Sequence, residues 1–396
     1  MATTWDKWVI GAEPSFRLRG ATGIYEHVIF FNKIRNSPGN LTVMSPNGDY
    51  SSGSTVSIQY CPNIAEVTTV TNPDITFMDR LTDQTAPTEF MCSYVKRYNA
   101  KYDTLNNEFT GSAVSNHVFV RRFFVNPVKS GEAVPSILPP TIGGFDAENI
   151  MVSKCSSNTA TYVRDCITSG FIESSDGKHN KNMIAWSETS SEFPSTIFIK
   201  AAVFDKALNK YSDIINVASG SDIVTAYGID APVGNPIKMI PLNGIGFIIC
   251  YLTKASTVMN FSFIAINNDV VSQPVHYSTT LPFAIPYNCY SLVHSKKNES
   301  LYFSTKGYKA IINLNTKAFS LPPTSDANAW YYLARDQNYN YYSFDPTAYS
   351  VVYVFDEGFN LTNKINLNKP LAGGVAVASA NQVMFTGDQG IEVINI

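Results

Sequence analysis

Ser300-Leu-Tyr-Phe303, Tyr308-Lys-Ala-Ile-Ile-Asn-Leu314-Asn315 and Ala318-Phe-Ser-Leu321 read as three short strands in succession. Each is rich in β-branched, aliphatic or aromatic residues and is bounded by polar turn residues, the pattern of an antiparallel hairpin series. The middle strand ends on an aliphatic residue followed by Asn, and that ending recurs. It closes Ile199-Lys-Ala-Ala-Val-Phe204-Asp205, Phe261-Ser-Phe-Ile-Ala-Ile266-Asn267 and Ser350-Val-Val-Tyr-Val-Phe355-Asp356, and in shortened form Gly390-Ile-Glu-Val-Ile394-Asn395. Asp and Asn end strands cleanly because their side chains bond the backbone two residues on and tolerate left-handed geometry. Successive marks at Asp205, Asn267, Asn315, Asp356 and Asn395 lie 62, 48, 41 and 39 residues apart.

Each marked strand from Ile266 onward has a partner upstream: Gly246–Tyr251, Ser300–Phe303, Asn340–Phe344 and Gln382–Phe385. A lead strand precedes each partner, at Lys238–Ile240, Ser291–Val293, Trp330–Leu333 and Gly374–Val377. With a weaker outer strand such as Ala318–Leu321, each unit holds four strands. Four-stranded units repeating roughly every 40–50 residues predict an all-β chain folded as a β-propeller. Six to eight blades fit the length, with seven favoured.

The whole of residues 1–396 reads as one domain: a closing segment over 1–35, irregular blades and insertions over 36–145, and regular blades over 146–396. In the irregular part, Val28–Phe31, Tyr94–Tyr98 and Phe123–Val125 carry the mark. Ile150–Ser153 and Tyr162–Arg164 are further candidate strands. Phe90, Met91, Tyr94, Val95, Tyr98 and Tyr102 also fit a helical stripe, but Tyr98-Asn99 favours the hairpin. The Pro-rich stretch Val134–Gly144 reads as a linker or long loop. The last unit ends after its third strand, and an uncovered edge invites aggregation. The N-terminal segment, through Trp5–Ile10 or Glu26–Phe31, is therefore expected to supply the missing strand and join the two termini in one blade.

Composition narrows the function. Charged residues make up 15 % of the 396, against roughly 25 % in ordinary soluble chains. Aromatics reach 13 % and the net charge is −3. No basic stripe is present to neutralise phosphates, so specific nucleic-acid binding is not expected. No apolar run approaches the roughly 18 residues of a membrane span, and Met1–Asp6 lacks a signal pattern. Cys61, Cys92, Cys155, Cys166, Cys250 and Cys289 form no CxxC pair and read as buried thiols of a chain folded in a reducing cytosol. The Asn-x-Ser/Thr triplets at Asn40, Asn260, Asn298 and Asn360 matter only in a secreted chain.

Catalytic patterns are not found. There is no Gly-x-Ser-x-Gly elbow, no Gly-x-Gly-x-x-Gly and no Walker sequence. Ser174-Ser175-Asp176-Gly177 lacks a residue of the sialidase Asp-box form and reads as a turn. Arg17, Arg19, Arg35, Arg80, Arg97, Arg121, Arg122, Arg164 and Arg335 define no arginine triad. Asp103, Asp146, Glu148, Asp356 and Glu357 read as solvated turn acids rather than a glycosidase pair. His117, His276 and His294 read as scaffold, since a metal site needs three or four convergent ligands. No catalytic residue, cofactor or metal is expected.

Candidate contact residues are Trp330, Tyr331, Tyr332, Tyr339, Tyr341 and Tyr342, with Tyr349 and Tyr353 nearby, and the pair Arg121-Arg122. Tyr joins a flat apolar face to a polar tip, which suits interfaces and sugar stacking. The alternative is that the tyrosines fill the space between blades and the arginines line a solvated edge. Phe204-Asp205, Ile266-Asn267, Leu314-Asn315 and Phe355-Asp356 look like generic blades, without WD40 or kelch marks. In this repeat style and low charge the chain resembles the propeller-containing tail tip (nozzle) proteins of short-tailed bacteriophages, over roughly residues 150–396. The resemblance implies a non-catalytic virion protein made in the host cytoplasm. It would form a ring with copies of itself and other tail subunits, through which DNA leaves. The alternatives are a carbohydrate- or receptor-binding propeller that meets a host-surface glycan, and, less favoured, a propeller glycoside hydrolase or sialidase.

Overall fold

The computed structural model describes residues 179–189, 192–205, 213–225, 236–254, 257–267, 269–336, 338–344 and 351–367 with their side chains. Elsewhere it describes the strands given below, with side chains at residues 91, 93, 117–120, 150, 152 and 168–172. β1 (Ser15–Arg17), β2 (His27–Asn32), β3 (Asn40–Met44) and β4 (Gly53–Ser57) pair in that order, all antiparallel. β5 (Glu66–Phe77) pairs with β6 (Thr88–Tyr98). After the hairpin β7 (Lys101–Asp103) and β8 (Glu108–Thr110), β9 (Ser115–Val125) returns along β6. β10 (Ile137–Leu138) and β11 (Ile150–Met151) share the far edge of β9.

β12 (Thr161–Ile172), β13 (Lys181–Ser190), β14 (Ile197–Phe204) and β15 (Ile215–Gly220) form the next antiparallel run. A single parallel residue pair, Tyr162 with Asn116, links it to β9. The pattern then becomes regular. β16 (Lys238–Leu242), β17 (Gly246–Leu252) and β18 (Val258–Asn267) are followed by an interrupted outer strand, β19 (Val270–Val271) and β20 (Val275–Thr280). β21 (Ser291–Ser295), β22 (Ser300–Thr305), β23 (Tyr308–Asn313) and β24 (Ala318–Ser325) make one four-stranded sheet. β25 (Tyr332–Arg335), β26 (Tyr341–Phe344), β27 (Val351–Phe355) and β28 (Leu361–Asn366) make another. β29 (Val375–Ala378), β30 (Gln382–Gly387) and β31 (Gly390–Asn395) follow as three strands.

The chain is thus all-β, with several four-stranded antiparallel sheets of the expected lead, partner, marked and outer strands. Two expectations change in detail. The lead strand expected at Trp330–Leu333 is Tyr332–Arg335, because side chains hold the backbone of Trp330: its N–H donates to Ser343 Oγ at 2.8 Å and its carbonyl accepts from Ser304 Oγ at 2.7 Å. Glu26–Phe31, one of the two segments expected to complete the last sheet, falls on β2, which pairs with β1 and β3 instead. The other, Trp5–Ile10, lies outside the described residues. The residues that also fitted a helical stripe lie on β6 from Phe90 to Tyr98, and Tyr102 on β7.

Packing explains why the inner sequences are so apolar. Every residue of β22 and β26 is buried, and all but one of β17, whereas β24 alternates and β28 is almost wholly exposed. A strand covered on both faces reads as a continuous apolar run; an outer strand keeps the period of two. Apolar clusters join each sheet to the next. Ile199 and Ala201 pack with Phe247 and Ile264; Ile248 and Phe261 with Leu301 and Phe303; Tyr302 and Ile311 with Leu333, Tyr341 and Phe355. The lead strands β5, β12, β16, β21, β25 and β29 lie each beside the next, and β1 lies beside both β5 and β29.

Asp and Asn side chains lock the turns at the strand ends, although after β23 the lock is Asn313, two residues before the expected mark at Asn315. Asn313 Oδ1 accepts the backbone N–H groups of Asn315 and Thr316 at 3.0 and 2.9 Å. Asp356 Oδ1 accepts that of Asn360 at 2.8 Å, while Asp356 N–H returns to the Asn360 carbonyl at 2.9 Å. The same cage recurs one hairpin earlier at Asp336-Gln-Asn-Tyr-Asn340, where Asp336 Oδ1 accepts the N–H of Asn338 at 2.8 Å and of Asn340 at 2.9 Å. Both cages force an aromatic residue into left-handed backbone, Tyr339 at φ 62° and Phe359 at φ 64°, a conformation that bulky residues rarely adopt unaided. Asp336 is buried, and its Oδ2 also accepts from Asn340 Nδ2 at 2.8 Å and Tyr342 Oη at 2.9 Å. Asp336→Ala should therefore cost about 2–3 kcal/mol in urea unfolding, since it orphans several buried donors. Asp356→Ala, in a more exposed turn, should cost about 1 kcal/mol. Equal losses would show that the buried cage is no more than a surface turn.

Candidate binding surface

The two ends of the regular sheets carry different chemistry. One end bears the turns that precede β22, β24, β26 and β28. Here the Tyr339 ring lies 4.9 Å from the Arg335 guanidinium and 5.4 Å from the Lys297 ammonium. Lys297 also pairs with Glu357 across two sheets at 2.6 Å, and that carboxylate holds the ammonium above its ordinary range. Tyr302 Oη donates to the Glu357 carbonyl at 2.6 Å and stacks on Tyr341 at 3.8 Å. His294 faces Glu299 at 3.5 Å; burial, with Arg335 and Lys296 nearby, lowers its pKa despite that carboxylate. The Lys297–Glu357 pair and the Tyr302 hydrogen bond tie two neighbouring sheets together at this end.

The opposite end is aromatic. It is built from the connector between β20 and β21, the β22–β23 turn and the segment that leads into β25. Phe283 stacks on Tyr308 at 3.7 Å. Tyr287 meets Tyr331 edge to face at 6.3 Å, and Tyr331 meets Trp330 likewise at 6.3 Å. The exposed Lys306 ammonium lies 5.4 Å from the Trp330 ring. Tyr287 is 44 % exposed although it is apolar over most of its surface. It is held outward by two successive left-handed residues, Tyr287 at φ 54° and Asn288 at φ 59°. Strain of this kind persists only where its surroundings impose it, and it gathers at binding sites. Tyr287 thus offers a flat face and a polar tip, joined through Tyr331 to the half-buried Trp330 ring and the Lys306 ammonium beside it.

The sequence candidates divide between these settings. Tyr331, Tyr341 and Tyr342 are buried, and Trp330, Tyr332, Tyr339 and Tyr353 are half-buried. Burial raises the phenols of Tyr341 and Tyr342 well above their ordinary range, and the Asp336 carboxylate adds to the effect at Tyr342. Trp330 and Tyr331 belong to the aromatic end and Tyr339 to the charged one. Arg121 and Arg122 occupy adjacent positions on β9, opposite Cys92 and Met91 of β6; Tyr349 lies outside the described residues. Tyr287, Lys306, Phe283 and Tyr308 were not among the candidates. The proline-bracketed aromatic segment Pro282-Phe-Ala-Ile-Pro-Tyr287 between two repeats was the available signal.

The remaining polar groups act as scaffold. His276 Nδ1 bonds Ser262 Oγ at 2.9 Å, and His117 is buried within β9. Cys250 and Cys289 are buried and form no disulfide, and burial raises the pKa of Cys250. Among the described residues no group of three or more His, Cys, Asp or Glu converges as a metal site would require. Nor is any helix among them long and apolar enough to cross a membrane.

No family model matches this sequence, and no curated protein matches it. Among solved structures it is similar to Hadza microbial sialidase Hz136, at 8 % identity and TM-score 0.46 over 100 % of this chain and 66 % of that one. It is also similar to virginiamycin B lyase from Staphylococcus aureus, at 11 % identity and TM-score 0.35 over 82 % and 89 %. A third similarity is to a puromycin-hydrolyzing peptidase of Mycobacterium tuberculosis, at 10 % identity and TM-score 0.42 over 94 % and 50 %. This chain spans just under two thirds of the sialidase and half of the peptidase.

Proposed function

We propose that this chain is a non-catalytic seven-bladed β-propeller that works by holding partners, as a subunit of a virion tail. The blade number is supported by the circuit of lead strands, β1, β5, β12, β16, β21, β25 and β29, with β29 returning to β1. In this reading the single residue pair between β9 and β12 is a contact between two blades rather than one continuous sheet. The observation that carries the binding role is the aromatic end, where Tyr287 is held exposed against Tyr331, which in turn meets Trp330 with the Lys306 ammonium near its ring. Aromatic residues with an apolar face and polar edge are enriched at interfaces. Native mass measurement on the purified chain, alone and with other tail proteins, tests the tail reading. A ring of defined subunit number is expected, and a strict monomer in both settings overturns it.

The same aromatic end favours a second reading, a glycan-binding adhesin. Sugar rings stack on Trp and Tyr faces, and Lys306 would suit an acidic substituent. Tyr287→Ala and Trp330→Ala should each weaken glycan-array binding by about tenfold or more, as removal of an interface anchor does, with the fold intact. A glycan bound equally by the parent and both variants would rule this surface out.

A further inference from the structure

The outer strand of each sheet leaves an edge of backbone groups that proteins ordinarily guard. β24 carries Pro322 and Pro323 and breaks register with β23 on either side of Ile311. β28 carries Lys364 and breaks register between Val354 and Phe355. β15 breaks register between Ile199 and Lys200 and ends at Gly220. β20 has none of these devices. It pairs with β18 without interruption from Val275 opposite Phe263 to Thr280 opposite Val258. Val-His-Tyr-Ser-Thr-Thr carries no Lys, Arg, Asp or Glu and no proline, since Pro274 stands just before it.

β20 is also firmly presented. The Tyr277 ring stacks on Phe261 at 4.8 Å, and His276 is bonded to Ser262, so the strand is fixed from its inner side. Val275 is nevertheless 53 % exposed. Among the described residues no strand pairs with the outer edge of β20.

We propose that β20 is an interface between two copies of this chain, the β20 of each adding antiparallel to the other across a two-fold axis. Unpaired N–H and C=O groups in a row are matched by an extended strand, and β20 suits itself. With the axis at Tyr277, Val275 falls opposite Thr279, His276 opposite Ser278 and Tyr277 opposite its own copy, so that each facing pair shares one face of the sheet. β-Branched Val275 then meets β-branched Thr279, and no like charges face across the ladder. The contact is isologous. Its strand is short beside the roughly 800 Å² per partner of a standard interface, so it is weak alone and strengthened where other contacts hold copies together. It involves no residue of the aromatic end and stands apart from the reading given above.

Hydrogen exchange on the full chain at low and high concentration tests it, with sedimentation alongside. Concentrated protein should sediment as a dimer and slow exchange at β20 amides by about tenfold relative to dilute protein. Ser278→Lys, at an exposed position, should abolish both effects and leave thermal unfolding unchanged; Val275→Glu is the second variant should the first fail to fold. Exchange at β20 that is independent of concentration overturns the proposal. So does a dimer that forms with β20 unprotected or survives both substitutions.

Discussion

Trp186→Ala is expected to lower the unfolding free energy by about 3–5 kcal/mol, the range for a large aromatic removed from a packed core. Trp186 is fully buried on β13, packed with Met91, Val118 and Val120 on one side and Ala202 and Phe204 on the other. It therefore joins the β6–β9 strands to the β12–β15 run, which strand pairing among the described residues links through one residue pair. Its indole N–H donates to Glu188 Oε2 at 2.7 Å, and Lys200 pairs with Glu188 Oε1. Glu188 is itself buried, so truncation leaves both a void and an under-partnered carboxylate. Trp186→Phe separates the two effects: it keeps most of the volume, loses the donor, and should cost about 1–3 kcal/mol. Urea unfolding of both variants checks this. If they lose the same amount, the hydrogen bond dominates and the packing argument fails.

The parts of the fold legible in the sequence were those set by local chemistry. Asp356 ends its strand by bonding an N–H four residues on, so short-range turn rules sufficed to find it, whereas after β23 the lock is Asn313, two residues before the expected Asn315. Phe247–Cys250 and Leu301–Phe303 read as strands because both faces are covered and nothing polar interrupts them. Trp330 misled at its boundary, since its backbone bonds go to Ser304 and Ser343, 26 and 13 residues away. No local pattern announces such a partner. Likewise, whether a tyrosine is buried or presented depends on its position relative to the next sheet. Tyr341 and Tyr342 fill opposite faces of β26, whereas Tyr287 is turned out by the left-handed pair at Tyr287 and Asn288. Composition alone treats all three alike.

Lys309 shows the same non-local logic and should give the other large effect. Its ammonium pairs with Asp326 Oδ2 at 2.8 Å, donates to the Phe359 carbonyl, and lies 4.8 Å from the Phe355 ring. Both charged side chains are mostly covered, at 11 % and 14 % exposure. Asp326→Ala leaves a cation enclosed by aromatic rings with one neutral acceptor, so it should cost about 3–5 kcal/mol. Lys309→Met should cost less, because Asp326 retains the Asn328 N–H at 2.9 Å and its Nδ2 at 3.0 Å. The double variant should recover most of the loss seen in Asp326→Ala, as apolar replacement of a buried pair often does. Burial opposes ionisation of Asp326, but Lys309 and Asn328 outweigh it and its pKa falls below the ordinary 3.8. A lowered carboxyl stabilises the fold above its unfolded value, and that contribution disappears as the pH falls through the folded value. Wild-type unfolding free energy should therefore drop on acidification below pH about 4, with a shallower drop in Lys309→Met. A double variant as unstable as Asp326→Ala would mean that the enclosed charge is not what destabilises the single one.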